Sequence, residues 1–571
     1  MIFVFLISLS SSTEYFVKWN GDDKTICHPM WPCKWEVAVK LFEREDIIQI
    51  TDAEIKTEEQ LLMFQNMTSY VFQIGGGIAS NSNTKIDGNL FHQNTTDFFI
   101  EISPFNESLL YGFEFHHFHH PIISVRGMDL FLIVNCSFNN NFVSYDYPLI
   151  SFCNVTVIMS NSSICNNSVE GSSIIGLSTS ILGYFNGTIE NNIQLSRGQI
   201  PLIEFTNGAS EITNSTIKNN ISPNSPLIGS WFFIIVIITN STIENNFCGT
   251  SALIVGDSLA QLSLSNSSIS SNRAALLHSM TQSSINLSQT IFSKNYAAGQ
   301  ALIFAPRSTI QFLNETIVSE NIADSIISSQ LSNETSLNLI STQFSNNTCT
   351  DTAFALSNSE SKIENTSLST NTVKDHPLIS VSTSNFSMNA SSFVRNWVMG
   401  KGNIIEVEDG SIDVTETNFI HNKSDKSGVF LISIEANDTY SFVFRGSDFK
   451  ENTGNIVSSI LFDKKRPPAR FEYCNFSKFR FEEVNGDLND DQLFHRCRFE
   501  RSIKEIDENY EEESFDSDFD QNHLFNDFEM KKNRNFLFNI YIIIGICVSV
   551  ICLIILYRVK LNALCNNDTL L

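Results

Sequence analysis

Apolar residues recur along most of this chain about every 25 residues, each at the centre of a short alternating segment. In the sequence Asn-Ser-Thr-Ile-Glu at 240–244, Ser241 and Ile243 share one face and the residues between them share the other, which predicts a strand. We call the central apolar residue of each such segment the anchor. The predicted anchors are Phe91, Phe115, Phe138, Ile164, Ile189, Ile217, Ile243, Ile269, Phe292, Ile317, Phe344, Leu368, Phe393, Phe419, Phe449, Phe476 and Phe499.

Asparagine follows most anchors at the third position downstream. Thirteen of the seventeen anchors have it, and the exceptions are Phe115, Ile317, Phe476 and Phe499. Asn tolerates the left-handed backbone of a turn, and equivalent asparagines in stacked coils can hydrogen-bond to one another as a ladder. We therefore predict ladder asparagines at Asn141, Asn167, Asn192, Asn220, Asn246 and Asn272.

A second apolar series, a pair of adjacent residues, repeats at the same period. Its predicted members are Leu149-Ile150, Ile174-Ile175, Leu202-Ile203, Leu227-Ile228, Leu253-Ile254, Leu276-Leu277, Leu302-Ile303, Ile326-Ile327, Leu378-Ile379, Ile404-Ile405 and Leu431-Ile432. Two series in register indicate stacked coils, and about 25 residues hold three short strands per coil. Paired-helix repeats would need amphipathic segments that this Ser-, Thr- and Asn-rich chain lacks, and propeller blades are longer. The sequence predicts an all-β fold, a right-handed parallel β-helix of about 17 coils.

The Phe-x-x-Asn motif carries a family resemblance. It recurs as Phe292-Ser-Lys-Asn295, Phe393-Val-Arg-Asn396 and Phe419-Ile-His-Asn422, among others. This pattern resembles the polymorphic membrane protein repeat of bacterial and protozoan surface proteins, over roughly residues 80–500. The companion Gly-Gly-Ala-Ile motif of that family is nearly absent here. The resemblance implies a pectin-lyase-like β-helix that is exposed at a cell surface and has an adhesive role.

The two ends of the chain predict a membrane protein with its main part outside the cell. Residues 1–12 begin with a short apolar run followed by serines, as a signal peptide does. Residues 536–557 are 22 uncharged, mostly apolar residues, enough for one transmembrane helix. We expect a type I protein of the plasma membrane, with an extracellular ectodomain and a cytoplasmic tail at 558–571.

The remaining boundaries follow from the extent of the repeat. Residues 13–80 show no repeat and are predicted to cap the open end of the β-helix, which then covers 81–503. Residues 504–535 contain eleven carboxylates between 505 and 529 and almost no aliphatic residues, which predicts an extended acidic stalk. The formal net charge of −26 argues against a nucleic acid partner.

Cysteines and glycosylation sequons fit an exported chain. We predict a disulfide between Cys27 and Cys33, which are close in sequence. A second is predicted between Cys474 and Cys497, because both lie two residues before anchors of successive coils. Asn-x-Ser/Thr sequons are abundant, and eight of them lie three residues before an anchor. Coils only ~4.8 Å apart leave no room for a glycan on every one. The isolated sequons favoured for glycosylation are Asn66, Asn106, Asn154, Asn333 and Asn437.

No residue pattern assigns catalysis, a cofactor or a metal. The cluster His116–His120 would need further zinc ligands from another element, and the sequence indicates none, so we expect an exposed, pH-sensitive patch. Polysaccharide-cleaving β-helices need clustered carboxylates, and the carboxylates here are scattered.

The leading hypothesis is therefore a cell-surface membrane glycoprotein that displays a β-helix rod for adhesion or surface interaction. Its expected partners are the membrane, crossed once, and host or matrix glycans or surface proteins. Two alternatives stay open. One is a membrane-anchored carbohydrate-active enzyme, a polysaccharide lyase or hydrolase, and the other is an endocytic or signalling receptor.

Overall fold

The coordinates are a computed structural model. They describe residues 14–500 except 23–26, 28–31, 36, 39–46, 53, 61–63, 65–72, 77–82, 91–97, 103–106, 145–146, 196–199, 224, 280–282, 329–335, 358–359, 409, 426–429, 434–440, 455–459, 463–468 and 478–493. The chain divides into two units, 1–502 and 503–571, and the described residues all belong to the first. The predicted signal peptide, stalk, transmembrane helix and tail lie outside them. Among the residues described, no helix has the length and apolar character needed to cross a bilayer.

The anchors stack as the repeat predicts. Ile217, Ile243 and Ile269 lie opposite one another in three consecutive parallel strands, and each is at most 1% exposed. The predicted all-β, parallel solenoid is confirmed. Among the described residues, one sheet contains 18 short anchor strands. These strands are Glu54–Ile55, Thr84–Asp87, Phe113–His116, Ser137–Asn139, Ser163–Cys165, Thr188–Glu190, Thr216–Lys218, Thr242–Glu244, Ser268–Ser270, Ile291–Ser293, Ile317–Ser319, Gln343–Ser345, Ser367–Ser369, Ser392–Val394, Asn418–Ile420, Asp448–Lys450, Asn475–Ser477 and Arg498–Glu500.

Two predicted anchors were assigned to the wrong residue. In the coil before Phe115, the residue paired with Phe115 is Ile86, whereas the predicted anchor Phe91 lies outside the described residues. In the coil after Phe292, the paired residue is Val318, and Ile317 faces outward beside it. Two adjacent β-branched residues fit a strand in either register, so the sequence alone favoured the larger one.

The second apolar series also stacks, with one shift of register. Ile203, Ile228 and Ile254 are successive partners in parallel strands. The coil that lacked a predicted member uses Phe354, which pairs with Ile379. Near the C-terminal end, Ile405 pairs with Phe430, so the predicted pair Leu431-Ile432 was placed about two residues too late.

Single residues in the left-handed region form the corners of the coil. Around Ile243 they are Asn240, with φ of 50°, and Asn245, with φ of 54°. Asn246 is not left-handed; its side chain points inward and is 1% exposed. The observed turn is therefore one residue earlier than the predicted one. The left-handed corner residue changes the direction of the chain, so the side chain of the next residue points into the interior.

Parallel stacking begins within the segment predicted as an N-terminal cap. Glu14–Asp22 pairs with Ile47–Ile50, which pairs with Gln73–Gly76. Glu54–Ile55 is the first anchor strand. The described residues of these coils include no ladder asparagine, and the number of residues per coil varies. The repeat is therefore not visible in this part of the sequence.

The other strands form the two remaining faces of the coils and short additions to them. Those that begin four residues after an anchor are Phe142–Val143, Ser168–Val169, Ile193–Gln194, Phe247–Ser265, Arg273–Ser279, Tyr296–Phe304, Ile322–Ser328, Thr348–Cys349, Thr372–Lys374, Trp397–Met399, Lys423–Ser424 and Thr453–Gly454. The rest, apart from the three N-terminal strands above, are Ile100–Ile102, Glu107–Tyr111, Ile123–Val134, Ile150–Ser160, Ile175–Ser178, Ser180–Phe185, Ile203–Phe205, Gly208–Thr213, Ile228–Thr239, Ser284–Ser288, Thr309–Leu313, Ser336–Ile340, Phe354–Ser357, Glu360–Glu364, Ile379–Ser382, Asn385–Asn389, Ile405–Glu408, Ser411–Thr415, Phe430–Ser433, Phe442–Arg445, Ile460–Phe462, Ala469–Glu472 and Phe494–His495. A short 3-10 helix spans Gly88–Leu90.

Candidate interaction surface

A column of buried asparagines runs along one inner edge of the solenoid. In all but the last, Asn452, the side-chain NH₂ donates to Oδ1 of the next asparagine and to the carbonyl oxygen of the anchor one coil back. For Asn246 these acceptors are Asn272 and Ile217, both at 3.0 Å. Each Oδ1 accepts from the backbone and side chain of the asparagine before it. The column contains Asn141, Asn167, Asn192, Asn220, Asn246, Asn272, Asn295, Asn321, Asn347, Asn371, Asn396, Asn422 and Asn452.

This ladder fixes the position of the next residue, four places after the anchor. The backbone N–H of that residue donates to the carbonyl of the ladder asparagine one coil back, as Tyr296 does to Asn272 and Trp397 does to Asn371. Because the asparagine points inward, the following side chain points outward. Every coil of the ladder therefore presents one side chain at the same place on the surface.

These side chains form a surface column that we call the stripe. Several large members are more than a third exposed, from 37% for Ile193 to 45% for Tyr296. The sequence does not single them out, because an isolated Ile or Phe on an outward position is unremarkable until the coils are aligned. In chain order the stripe consists of Phe142, Ser168, Ile193, Ile221, Phe247, Arg273, Tyr296, Ile322, Thr348, Thr372, Trp397, Lys423 and Thr453.

Cations lie against aromatic rings in two parts of the stripe. The Arg273 guanidinium lies 5.4 Å from the ring centre of Phe247 and 5.9 Å from that of Tyr296, its neighbours in the preceding and following coils. Lys423 Nζ lies 4.7 Å from the ring centre of Trp397. The Trp397 indole N–H also donates to Asp425 at 3.2 Å. These contacts hold long side chains flat along the surface.

Seven of the thirteen residues of the stripe are aromatic or isoleucine, and one is arginine. Aromatic residues and Arg are enriched at the centres of protein interfaces, and a contiguous exposed apolar patch usually marks an interaction site. Strand propensity alone would explain the β-branched Ile193, Ile221 and Ile322. It does not explain Arg273 held between two rings.

The eight sequons that precede an anchor occupy the other corner of the anchor strand. All eight asparagines are exposed and left-handed, with φ between 47° and 54°. They are Asn135, Asn161, Asn186, Asn214, Asn240, Asn266, Asn314 and Asn365. Of the favoured glycosylation residues, Asn154 is exposed with φ of 54°. Asn66, Asn106, Asn333 and Asn437 lie outside the described residues.

In the described part of the chain, the cysteines form one disulfide and otherwise remain buried or half-buried thiols. The predicted bond between Cys27 and Cys33 is present. Cys474 and Cys497 are free thiols in successive coils, so the second predicted disulfide is not formed, although the Cys474 thiol hydrogen-bonds the Cys497 sulfur. Burial raises the pKa of Cys248 to about 12, which makes that thiol unreactive.

A corner of the coil divides the histidine cluster. The strand ends at His116, and His117 takes a left-handed corner with φ of 58°. His119 is exposed, whereas His120 is 8% exposed. The expected exposed patch is therefore only partly present, at His117 and His119.

One recess on another face offers little for catalysis. It has a volume of about 180 Å³ and is lined by Ser151, Phe152, Cys153, Gly176, Leu177, Ser178, Glu204 and Thr206. Glycoside cleavage by general acid and base needs two carboxyl groups, and this lining supplies Glu204 alone. The recess therefore does not contain the carboxyl pair of a glycoside hydrolase.

Comparisons with known proteins identify no family and find solved structures of low sequence identity. No protein-family profile matches the sequence, and a search of curated proteins finds no match. The surface adhesin PfbA of Streptococcus pneumoniae is similar in structure at 9% identity and a TM-score of 0.25, over 62% of this chain and 89% of that one. The A-module of the mannuronan C-5 epimerase AlgE6 of Azotobacter vinelandii has 9% identity and a TM-score of 0.23, over 81% and 99%. The tailspike protein of E. coli bacteriophage HK620, in complex with a pentasaccharide, has 10% identity and a TM-score of 0.23, over 87% and 82%.

Proposed function

We propose that this chain is a cell-surface membrane glycoprotein whose β-solenoid mediates adhesion or surface interaction, and that the stripe is its binding surface. The observation that carries this proposal is the alignment of exposed aromatic, aliphatic and cationic side chains at one position of successive coils. The ladder asparagines hold that position constant, so the surface is built by the fold itself.

The chemistry of the stripe favours a protein partner. Ile193, Ile221 and Ile322 are branched aliphatic side chains that contribute buried apolar area and no hydrogen bonds. Tyr, Trp and Arg are the residues that carry most binding energy in protein interfaces. A glycan would instead need polar groups placed beside the rings, and the isoleucine positions supply none.

The membrane setting is part of the same proposal. An apolar segment at 1–12, an uncharged segment of 22 residues at 536–557 and many sequons support an exported chain held at the plasma membrane. Asn240 lies at the corner before the anchor strand Thr242–Glu244, and Phe247 follows that strand. A glycan on Asn240 would therefore lie at the other end of the strand from the stripe.

The experiment compares binding of cells that display the full chain to a panel of target cells. The test variant carries Ile221→Glu and Ile322→Glu, which place charge within the stripe. Ile181→Glu is the matched control, because Ile181 is 49% exposed on a different face of the coil. We expect the test variant to weaken adhesion by about tenfold or more, since charge at an interface centre costs more than ~1.4 kcal/mol. The control should bind as the wild type does.

Two results would contradict the proposal. Equal adhesion of the wild type and the test variant, both displayed at the same level, would exclude the stripe as the binding surface. Protease treatment of the target cells should abolish adhesion, whereas loss after glycosidase treatment alone would assign the stripe to glycans.

A further inference from the structure

The asparagine ladder stops before the N-terminal coils. Asn141 is its first member, and Oδ1 of Asn141 accepts from the backbone N–H of Phe118, which occupies the ladder position one coil earlier. Phe118 has no side-chain amide with which to extend the ladder. At this end, three side chains that can bind a metal converge from two coils, namely Asp87, His116 and His117.

The backbone sets this convergence. Asp87 and His116 are paired at the ends of the adjacent strands Thr84–Asp87 and Phe113–His116. The left-handed corner at His117 places its imidazole beside that of His116, with their Nδ1 atoms 3.1 Å apart. Oδ1 of Asp87 lies 4.0 Å from Nδ1 of His116 and 3.4 Å from Nδ1 of His117.

These separations match a shared ion. A circle through three atoms that lie 3.1, 3.4 and 4.0 Å apart has a radius of about 2.1 Å, which is the distance at which Zn²⁺ binds imidazole nitrogen and carboxylate oxygen. A single position is thus at bonding distance from all three atoms as they stand. Two histidines and one carboxylate are a known ligand set for Zn²⁺, with further positions left for water.

The surroundings suit binding from solvent. The side chain of His117 is 47% exposed and that of Asp87 29%, whereas that of His116 is 15% exposed. Nε2 of His116 is buried without a hydrogen-bond partner among the described residues, so its ring interacts through Nδ1.

We propose that Asp87, His116 and His117 bind one Zn²⁺ ion, which joins two consecutive coils just beyond the N-terminal end of the asparagine ladder. The ion links the coil of Ile86 to the coil of Phe115, which both precede the first ladder asparagine, Asn141. It acts as a structural brace, and this role is independent of the stripe.

The test uses the full chain, purified in detergent, freed of metal with a chelator and titrated with ZnCl₂ by equilibrium dialysis. His117→Asn is the main variant, because Asn occupies the same corner at Asn140 and Asn166 and is compatible with the fold. Asp87→Asn is the second. His421→Asn is the matched control, since His421 occupies an equivalent corner with Glu451 at 3.1 Å and has no second histidine beside it.

We expect His117→Asn and Asp87→Asn each to lose one bound Zn²⁺ per chain relative to the wild type and the control. Added Zn²⁺ should raise the melting temperature of the wild type and the control, and this shift should be smaller in both variants. X-ray absorption should show two imidazole nitrogens at about 2.0 Å from the zinc. Unchanged stoichiometry and an unchanged thermal shift in both variants would overturn the proposal and leave Asp87 and His117 as an ion pair.

Discussion

The side chain of Asn246 uses its full hydrogen-bonding capacity within the ladder, because its NH₂ donates to Oδ1 of Asn272 at 3.0 Å and to a second acceptor. Its Oδ1 accepts from the backbone N–H and side chain of Asn220, both at 3.0 Å. A primary amide offers two hydrogens and two acceptor sites, and all four are used. This complete pairing explains why a polar side chain is tolerated at 1% exposure at Asn246.

Replacing Asn246 by Ala should destabilise the solenoid locally. The backbone N–H of Asn220 and the carbonyl of Ile217 lose their side-chain partner, and each buried unpaired group costs about 1–3 kcal/mol. Amide hydrogen exchange at Asn220 should therefore accelerate by more than tenfold, while exchange many coils away changes little. Asn245→Gly is the control, because Asn245 is exposed and left-handed. Equal exchange in both variants would show that the ladder does not stabilise the stack.

The main role predicted for the corner asparagines is to adopt the left-handed backbone conformation of the corner. Asn240→Gly should preserve stability, since glycine adopts a φ of 50° without strain, whereas Asn240→Val should lower it by about 1–2 kcal/mol. Both changes remove the same sequon, so any glycan effect is equal in the two variants. Urea unfolding of the two purified proteins measures the difference. Identical unfolding curves would mean that the left-handed backbone imposes no requirement at this corner.

The sequence was sufficient to predict the class of fold and the spacing of the coils. It failed where two neighbouring residues were equally apolar, as with Ile317 and Val318. With Val318 as the anchor, Asn321 follows at the third position, and a predicted exception becomes a regular coil. The asparagine rule therefore held more widely than the choice of anchors.

The candidate surfaces could not be read from the sequence, for a different reason. Phe247, Arg273 and Tyr296 are separated by more than twenty residues each, and their contact exists only after the coils are aligned. The sequence does not place Asp87 beside His116 when Phe91 is assigned as the anchor. Asp87 pairs with His116 only when Ile86 is the anchor. Both omissions are errors of register rather than of fold.

A stack of phenylalanines should dominate stability near the C-terminal coils. The ring of Phe449 is stacked on Phe419 at 5.1 Å and on Phe476 at 4.9 Å, and it is fully buried. Phe449→Ala should cost about 3–5 kcal/mol through lost burial and the cavity left behind. Phe142→Ala is the matched control, because Phe142 is 38% exposed and should lose less than about 1 kcal/mol. Urea unfolding, monitored by hydrogen exchange in these coils, measures the difference. Equal stability of the two variants would contradict the prediction.

The two C-terminal thiols should differ in reactivity. The hydrogen bond from Cys474 to the sulfur of Cys497 lowers the pKa of Cys497 and raises the pKa of Cys474. Because the thiolate is the nucleophile, Cys497 should react with iodoacetamide first, and its rate should reach a plateau at a lower pH than that of an ordinary cysteine. Cys474→Ala removes the donor, so the pKa of Cys497 should rise and its alkylation at pH 7 should slow. Cys136→Ala, a buried thiol in a distant coil, should leave that rate unchanged. Mass spectrometry of the alkylated peptides measures both rates, and a Cys497 rate that is indifferent to Cys474→Ala would show that the hydrogen bond does not control the thiol.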